Sequence, residues 1–120
     1  MESMDKALFC LKLLQERKAL DPVLFDVGKL NSLTDYFLIA AGGSTRQVQA
    51  ITRHVVRRMR EAGSHAHGVE GEQEGQWVLM DFGDVVVHVF YEPVRAFYDL
   101  ESLWVEAPRV EPPGESEVGA

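Results

Sequence analysis

The sequence is poor in the features that most often advertise chemistry. Cys10 is its only cysteine, so no internal disulfide can form and no cysteine cluster can hold a metal. Long hydrophobic runs are missing. The most apolar stretches are interrupted by Asp81, Asp84 and His88, well short of the roughly 20 residues a membrane span requires. The opening Met1-Glu2-Ser3-Met4-Asp5 has neither the basic nor the apolar region of a secretory signal, so a cytoplasmic location is expected. With 120 residues, 46% of them hydrophobic and 26% charged, the chain suits one ordinary globular domain and not two.

Positive charge is scarce where aromatic residues are dense. The formal charge is −7, from 19 acids and 12 bases, and it is unevenly spread. Residues 1–43 hold six acids and five bases. Residues 44–68 hold five arginines (Arg46, Arg53, Arg57, Arg58, Arg60) against Glu61 alone. Residues 69–120 hold 12 acids and only Arg95 and Arg109. Neutralising phosphates supplies most nucleic-acid affinity, so this acidic half is unsuited to it. A basic protein surface is its natural partner. No sequence-specific nucleic-acid recognition is expected; RNA contact through the arginines stands as a lesser alternative to a solvated helix face.

What is present is an alternation of helix and strand signals. Leu8, Leu11 and Leu14 predict a helix from about Ser3 to Lys18, ended by Asp21-Pro22. Val23–Val27 and the apolar run Asp35–Ala41, closed by Gly42-Gly43, read as strands. Ser44 and Gln47 match a capping box, and Val48, Ile51, Val55 and Met59 recur at helical spacing behind it. Gly63 suits the C-terminal cap of that helix. Residues 64–75 read as a mobile, Gly-rich loop with a short strand around His67–Glu70. Gln76–Met80 and Val85–Tyr91 flank Phe82-Gly83 as a hairpin of central strands, apolar on both faces. Pro93 fits the first turn of a last helix carrying Phe97, Tyr98, Asp99, Leu100 and Trp104. The expected fold class is α/β: a single domain over residues 1–105, with a mixed sheet of about five strands packed with helices. Residues 106–120, rich in Pro and Glu, are expected to be a disordered tail.

No catalytic, cofactor or metal site is complete in this pattern. Gly42-Gly43-Ser44, between a strand and a helix, could hold an anion on exposed amides. It also resembles the entry of nucleotidyltransferase folds, yet no Asp-x-Asp follows to bind two metal ions. Helix capping explains the same residues. His65 and His67, near Glu70, Glu72 and Glu74, could ligate zinc, but a solvated loop offers no preset geometry. His88 stands alone among valines, equally suited to a satisfied core position and to a binding face. Trp77, Tyr98 and Trp104 are either core residues or binding anchors. The aromatic, acid-bearing segment Trp77–Trp104 reads as a recognition surface on a sheet, which favours a binding protein over an enzyme.

The same segment resembles the ribosomal silencing factor family, RsfS, also called Iojap. The resemblance rests on Trp77, Asp81-Phe82-Gly83-Asp84, Val85–His88, and Arg95 with Phe97, Tyr98, Leu100, Glu101, Leu103 and Trp104. Upstream, Thr34-Asp35-Tyr36-Phe37, Gly43, Ser44 and Arg46–Ile51 fit as well. Glu92 departs from the family, which usually has histidine before the proline. The resemblance implies a nucleotidyltransferase-like fold emptied of its catalytic carboxylates. It implies binding to large-subunit ribosomal protein L-fourteen, a steric block to subunit association, and repression of translation under nutrient limitation. A homodimer is also implied. On this reading Trp77, Tyr98 and Leu100 would give apolar contact, Asp81, Asp84, Asp99 and Glu101 would face basic side chains, and His88 and Arg95 would orient the patch. The alternatives are a large-subunit assembly factor and a small nucleotidyltransferase.

Overall fold

The computed structural model describes residues 1–30 and 33–111. Helix α1 (Ser3–Glu16) buries Ala7, Cys10, Leu11, Leu13 and Leu14, while Leu8 lies at the margin of that stripe. Its end is set earlier than Asp21-Pro22: Lys18 takes a left-handed conformation (φ 56°) and the chain enters strand β1 (Leu20–Asp26) at once. Pro22 sits in an irregularity of β1 between Leu20 and Val23, a place where a missing N–H breaks no ladder bond.

Strand β2 (Tyr36–Gly42) pairs antiparallel with β1, and helix α2 (Thr45–Glu61) follows. Ser44 accepts the Gln47 N–H at 3.0 Å, and Gln47 Oε1 reaches back to the Gly43 N–H at 2.6 Å, one residue earlier than the capping box predicts. The fully buried Val48, Ile51, Val55 and Met59 anchor α2 to the sheet. Burying each such side chain contributes roughly 1.5–3 kcal/mol.

Beyond α2 come β3 (Gly68–Glu70), β4 (Trp77–Asp81) and β5 (Val85–Tyr91), then α3 (Glu92–Tyr98) and a 3-10 turn over Leu100–Trp104. The sheet order is β1-β2-β5-β4-β3, antiparallel throughout except for the central β2–β5 pair. The expected mixed, five-stranded α/β domain is therefore present. The last helix is interrupted, because Asp99 adopts φ 47° and splits it into α3 and the 3-10 turn.

Two expectations are corrected. The segment before β4 is tied down, not loose: Gln49 Nε2 donates to the carbonyls of Glu72 and Gln73, and the Gly75 N–H bonds Gly71. Gly71 has φ 83°, and a Cβ there would lie 2.1 Å from the Trp77 carbonyl oxygen. The domain also continues past residue 105. Ala107 is buried, the Asp26 N–H donates to Pro108, the Val110 N–H donates to Leu24, and Arg109 bridges Phe25. A proline-rich stretch read as tail is in part a strap along the β1 edge. Residues 112–120 lie outside the described residues.

The sheet separates two apolar clusters. One lies beneath α1 and α2 and is made mainly of aliphatic side chains from Leu38, Ala40, Val78, Met80, Val85, Val87 and Val89. The other covers the opposite face with Phe25, Val27, Ile39, Phe90 and Ala107, packed by Trp77, Phe37, Val94, Leu100 and Trp104.

Candidate functional site

The hairpin register decides which side chains meet. Trp77 pairs with Phe90, Leu79 with His88 and Asp81 with Val86, while Phe37 and Ile39 of β2 lie beside Val86 and His88. All eight therefore project from the face opposite α1 and α2, because strand side chains alternate. Helix α3 and the 3-10 turn cover one end of this face and leave the other open.

A chain of ring contacts crosses the face. Phe97 meets Tyr98 with centroids 5.2 Å apart, Tyr98 meets Trp77 at 5.0 Å, and Trp77 stacks on Phe90 at 4.9 Å. His88 touches Phe37 edge-on at 5.4 Å, and Phe37 meets Trp104 at 4.8 Å. Such pairs contribute about 0.5–1.5 kcal/mol beyond area burial. The file starts in water: Phe97 is 81% exposed and Tyr98 55%, with Leu103 and Val105 also exposed nearby in sequence.

The Trp77 indole N–H donates to His88 Nδ1 at 3.0 Å. A neutral His88 with Nδ1 accepting carries its proton on Nε2. Burial pushes its pKa down to about 4, so the ring is neutral near pH 7. His88 thus falls on the core side of the two readings given it by sequence. It fixes Trp77 and offers no charge to a partner.

The acids divide into committed and free. Asp84 turns toward α1, where Lys6 Nζ donates to it at 2.6 Å and the Ser3 hydroxyl also donates. Burial raises its pKa, but these hydrogen bonds outweigh it and hold the carboxyl below the usual range. Glu101 is held by Arg95 Nε at 3.2 Å, and Arg95 Nη1 also donates to the Leu20 carbonyl. Both lock α3 to the 3-10 turn and to β1. Leu100 is half-buried in the second cluster. Asp99 is exposed at its left-handed turn. Asp81 Oδ1 accepts the Gly83 N–H at 2.8 Å and lines a cavity of about 530 Å³ at the open end.

The fold therefore gathers Trp77, His88 and Tyr98 into one cluster, with Asp81 beside His88 in the open cavity, while Asp99 lies with Arg95, Glu101 and Arg109 around a separate one. It sets Asp84, Arg95 and Glu101 apart as structural ties. Sequence reasoning passed over Phe37, Leu79 and Val86, which line the cavity with Asp81, and undervalued Phe97. In strands apolar on both sides, alternation cannot pick the face; only pairing register with His88 would have found them.

Nothing at the Gly42-Gly43-Ser44 junction favours phosphate. The Gly43 amide is occupied by Gln47, and a Cβ on Gly42 would meet Val48 Cγ2 at 3.0 Å. The adjacent strand β5 carries no carboxylate from Val85 to Tyr91. Among the described residues no group of three or more His, Cys, Asp or Glu side chains is placed to hold a metal. Nor is any helix among them long and apolar enough to cross a membrane.

The profile described as "Ribosomal silencing factor during starvation" matches residues 1–119. The chain belongs to the ribosomal silencing factor family. A relative named ribosomal silencing factor RsfS, from Chromobacterium violaceum, is 41% identical over 104 residues, covering 87% of this chain and 85% of that one. A crystal structure of a protein from Chromobacterium violaceum superposes with a TM-score of 0.85 at 41% identity, covering 87% of each chain. A more distant relative in Mus musculus, named mitochondrial assembly of ribosomal large subunit protein 1, is 31% identical across 78% of this chain and 42% of its own length. The family and the relative alike carry the name of ribosomal silencing factors. In this RsfS-family chain the Trp77–Trp104 pattern is divided between the ring cluster around Trp77 and Tyr98 and the ties that Asp84, Arg95 and Glu101 make elsewhere.

Proposed function

We propose that the chain is a non-enzymatic anti-association factor that docks its aromatic face on large-subunit ribosomal protein L-fourteen. The observation that carries this reading is the exposure of Phe97 and Tyr98 at the end of a rigid ring file. Exposed aromatics backed by a fixed scaffold supply contact area at little cost in side-chain entropy. Trp77 is the anchor beneath them, held by His88. Asp81 and Asp99 supply negative charge toward a basic partner, and Arg95, Glu101 and Leu100 hold the support in shape. The partner itself is inferred from the family resemblance. With the 12 acids of residues 69–120, electrostatic steering toward a basic ribosomal protein is favourable.

A standard interface buries about 800 Å² on each partner, roughly a ninth of the 6914 Å² accessible surface. The body left outside that contact would stand in the path of the small subunit, lowering translation by bulk alone. Purified subunits mixed with this chain should join more slowly by light scattering, and Tyr98→Ala with Trp77→Ala should restore the rate. Joining at an unchanged rate in saturating protein would sink the proposal. The name of the mouse relative favours one second reading, action during large-subunit assembly. Removing the protein from cells would then leave incomplete large subunits on a sucrose gradient, where the first reading leaves excess joined ribosomes. A second copy of the chain is the other partner implied by the family, and sedimentation equilibrium reads it directly.

A further inference from the structure

Helix α2 carries five arginines, and four of them share one line. Arg46, Arg53, Arg57 and Arg60 are separated by 7, 4 and 3 residues. At about 100° per residue they fall within an arc of roughly 60°, directly opposite the buried Val48, Val55 and Met59. Arg58 lies off that line and is the one that pairs with Glu16 and Glu61. Arg46, Arg53, Arg57 and Arg60 are exposed and have no ion pair among the described residues. Arg17, just past the end of α1, joins Arg53, Arg57 and Arg60 around a cavity of about 550 Å³. Its floor includes Ala50, Val56 and Val69, and its only carboxylate is Glu72.

A plain solvated helix face mixes signs, because like charges four residues apart, such as Arg53 and Arg57, oppose helix formation by about 0.2–0.5 kcal/mol. In a chain with an excess of seven negative charges, a row of four unpaired guanidinium groups is a local reversal of sign. We propose that this arginine row, with Arg17, binds the phosphate backbone of a single RNA strand. Arginine forks suit phosphate oxygens. From Arg46 to Arg60 the row runs about 21 Å at 1.5 Å per residue, which several successive phosphates would span and a compact anion would not. The apolar floor gives an unstacked base a place to lie, for which bare phosphate has no use. Membership of a ribosomal family puts RNA within reach. The row lies on the helix side of the sheet, away from the aromatic docking face, so both surfaces can be occupied together.

The test is fluorescence anisotropy of a labelled, unstructured RNA of about 12 nucleotides with the full chain across a salt series. Five phosphate contacts, one for each arginine, predict a slope of log affinity against log salt of about −3.5, at about −0.7 per contact on a single strand. The variant R53Q/R57Q/R60Q should flatten that slope by about 2 and weaken binding roughly tenfold or more at low salt. Charge-preserving R53K/R57K/R60K should keep most of the slope, and Tyr98→Ala should bind RNA as the unaltered chain does, which separates this site from the docking face. The three positions are exposed, so an unchanged thermal midpoint should accompany the loss. No binding at about 50 mM salt, or a slope untouched by the glutamine variant, would overturn the proposal. So would displacement of the RNA by tripolyphosphate at equal phosphate concentration, which would assign a compact-anion site.

Discussion

On the helix-covered face of the sheet, Leu38, Val78, Val87 and Val89 are fully buried against α1 and α2. On the other face Phe37, Trp77, Leu79 and Val86, drawn from the same strands, are only half-buried. The first face is mainly aliphatic, satisfied and closed. The second is aromatic, carries a neutral histidine, and ends in exposed rings. Burial stabilises both kinds of side chain in proportion to area, and rings add large area, quadrupole contacts and few rotamers where a face is left partly open. On the proposed reading, the fold assigns stability to one side of the sheet and recognition to the other without changing its strands.

Four measurements would break or sharpen that contrast. Leu38→Ala on the closed face should lower unfolding free energy by about 2–5 kcal/mol in urea titration, as a buried Leu→Ala does. If it instead spared stability and abolished large-subunit binding, the division of labour would be wrong.

Acid should act next most strongly, and through His88. A histidine whose pKa is lowered to about 4 in the fold contributes stability in full above its unfolded value of 6.5, and loses it as pH falls toward 4. The whole effect is on the order of 3 kcal/mol. His88→Gln should show a smaller drop in thermal midpoint between pH 7 and pH 4.5 than the unaltered chain. Asp84 works in the same direction at lower pH, because its depressed pKa gives stability that is lost as its carboxyl is protonated.

Tyr98→Ala should weaken large-subunit binding by about 2 kcal/mol, near thirtyfold, measured by pelleting. Its thermal midpoint should hardly move, since the side chain is half in water. Smallest of the four, Asp99→Gly should change stability by less than about 1 kcal/mol, because glycine accepts φ 47° readily. Any loss of binding in that variant then reports the missing charge.

Much of the fold was legible because its signals are local. The capping residues Ser44 and Gln47, the helical stripe of α2, and the Gly83 turn, whose φ is 88°, each declare themselves within a few residues. What escaped was set by distant partners. Lys18 ends α1 because β1 must begin at once, and the strap over Ala107–Val110 is ordered by main-chain bonds to Leu24 and Asp26 that its own composition does not announce. The candidate site divides in the same way. Trp77 and Tyr98 were readable as core residues or binding anchors, and the fold brings their rings together, whereas the removal of Asp84 toward Lys6 and the pairing of Arg95 with Glu101 depend on tertiary placement.

That strap has one further effect. A surface rich in bare rings invites self-association, and an unpaired outer strand would turn chance encounters into growing fibrils. By pairing the Leu24 and Asp26 end of β1 with its own main chain and leaving only the three-residue β3 at the far margin, the chain shortens the template a newcomer could use. Stickiness is thereby confined to side chains, where shape and charge can choose the guest.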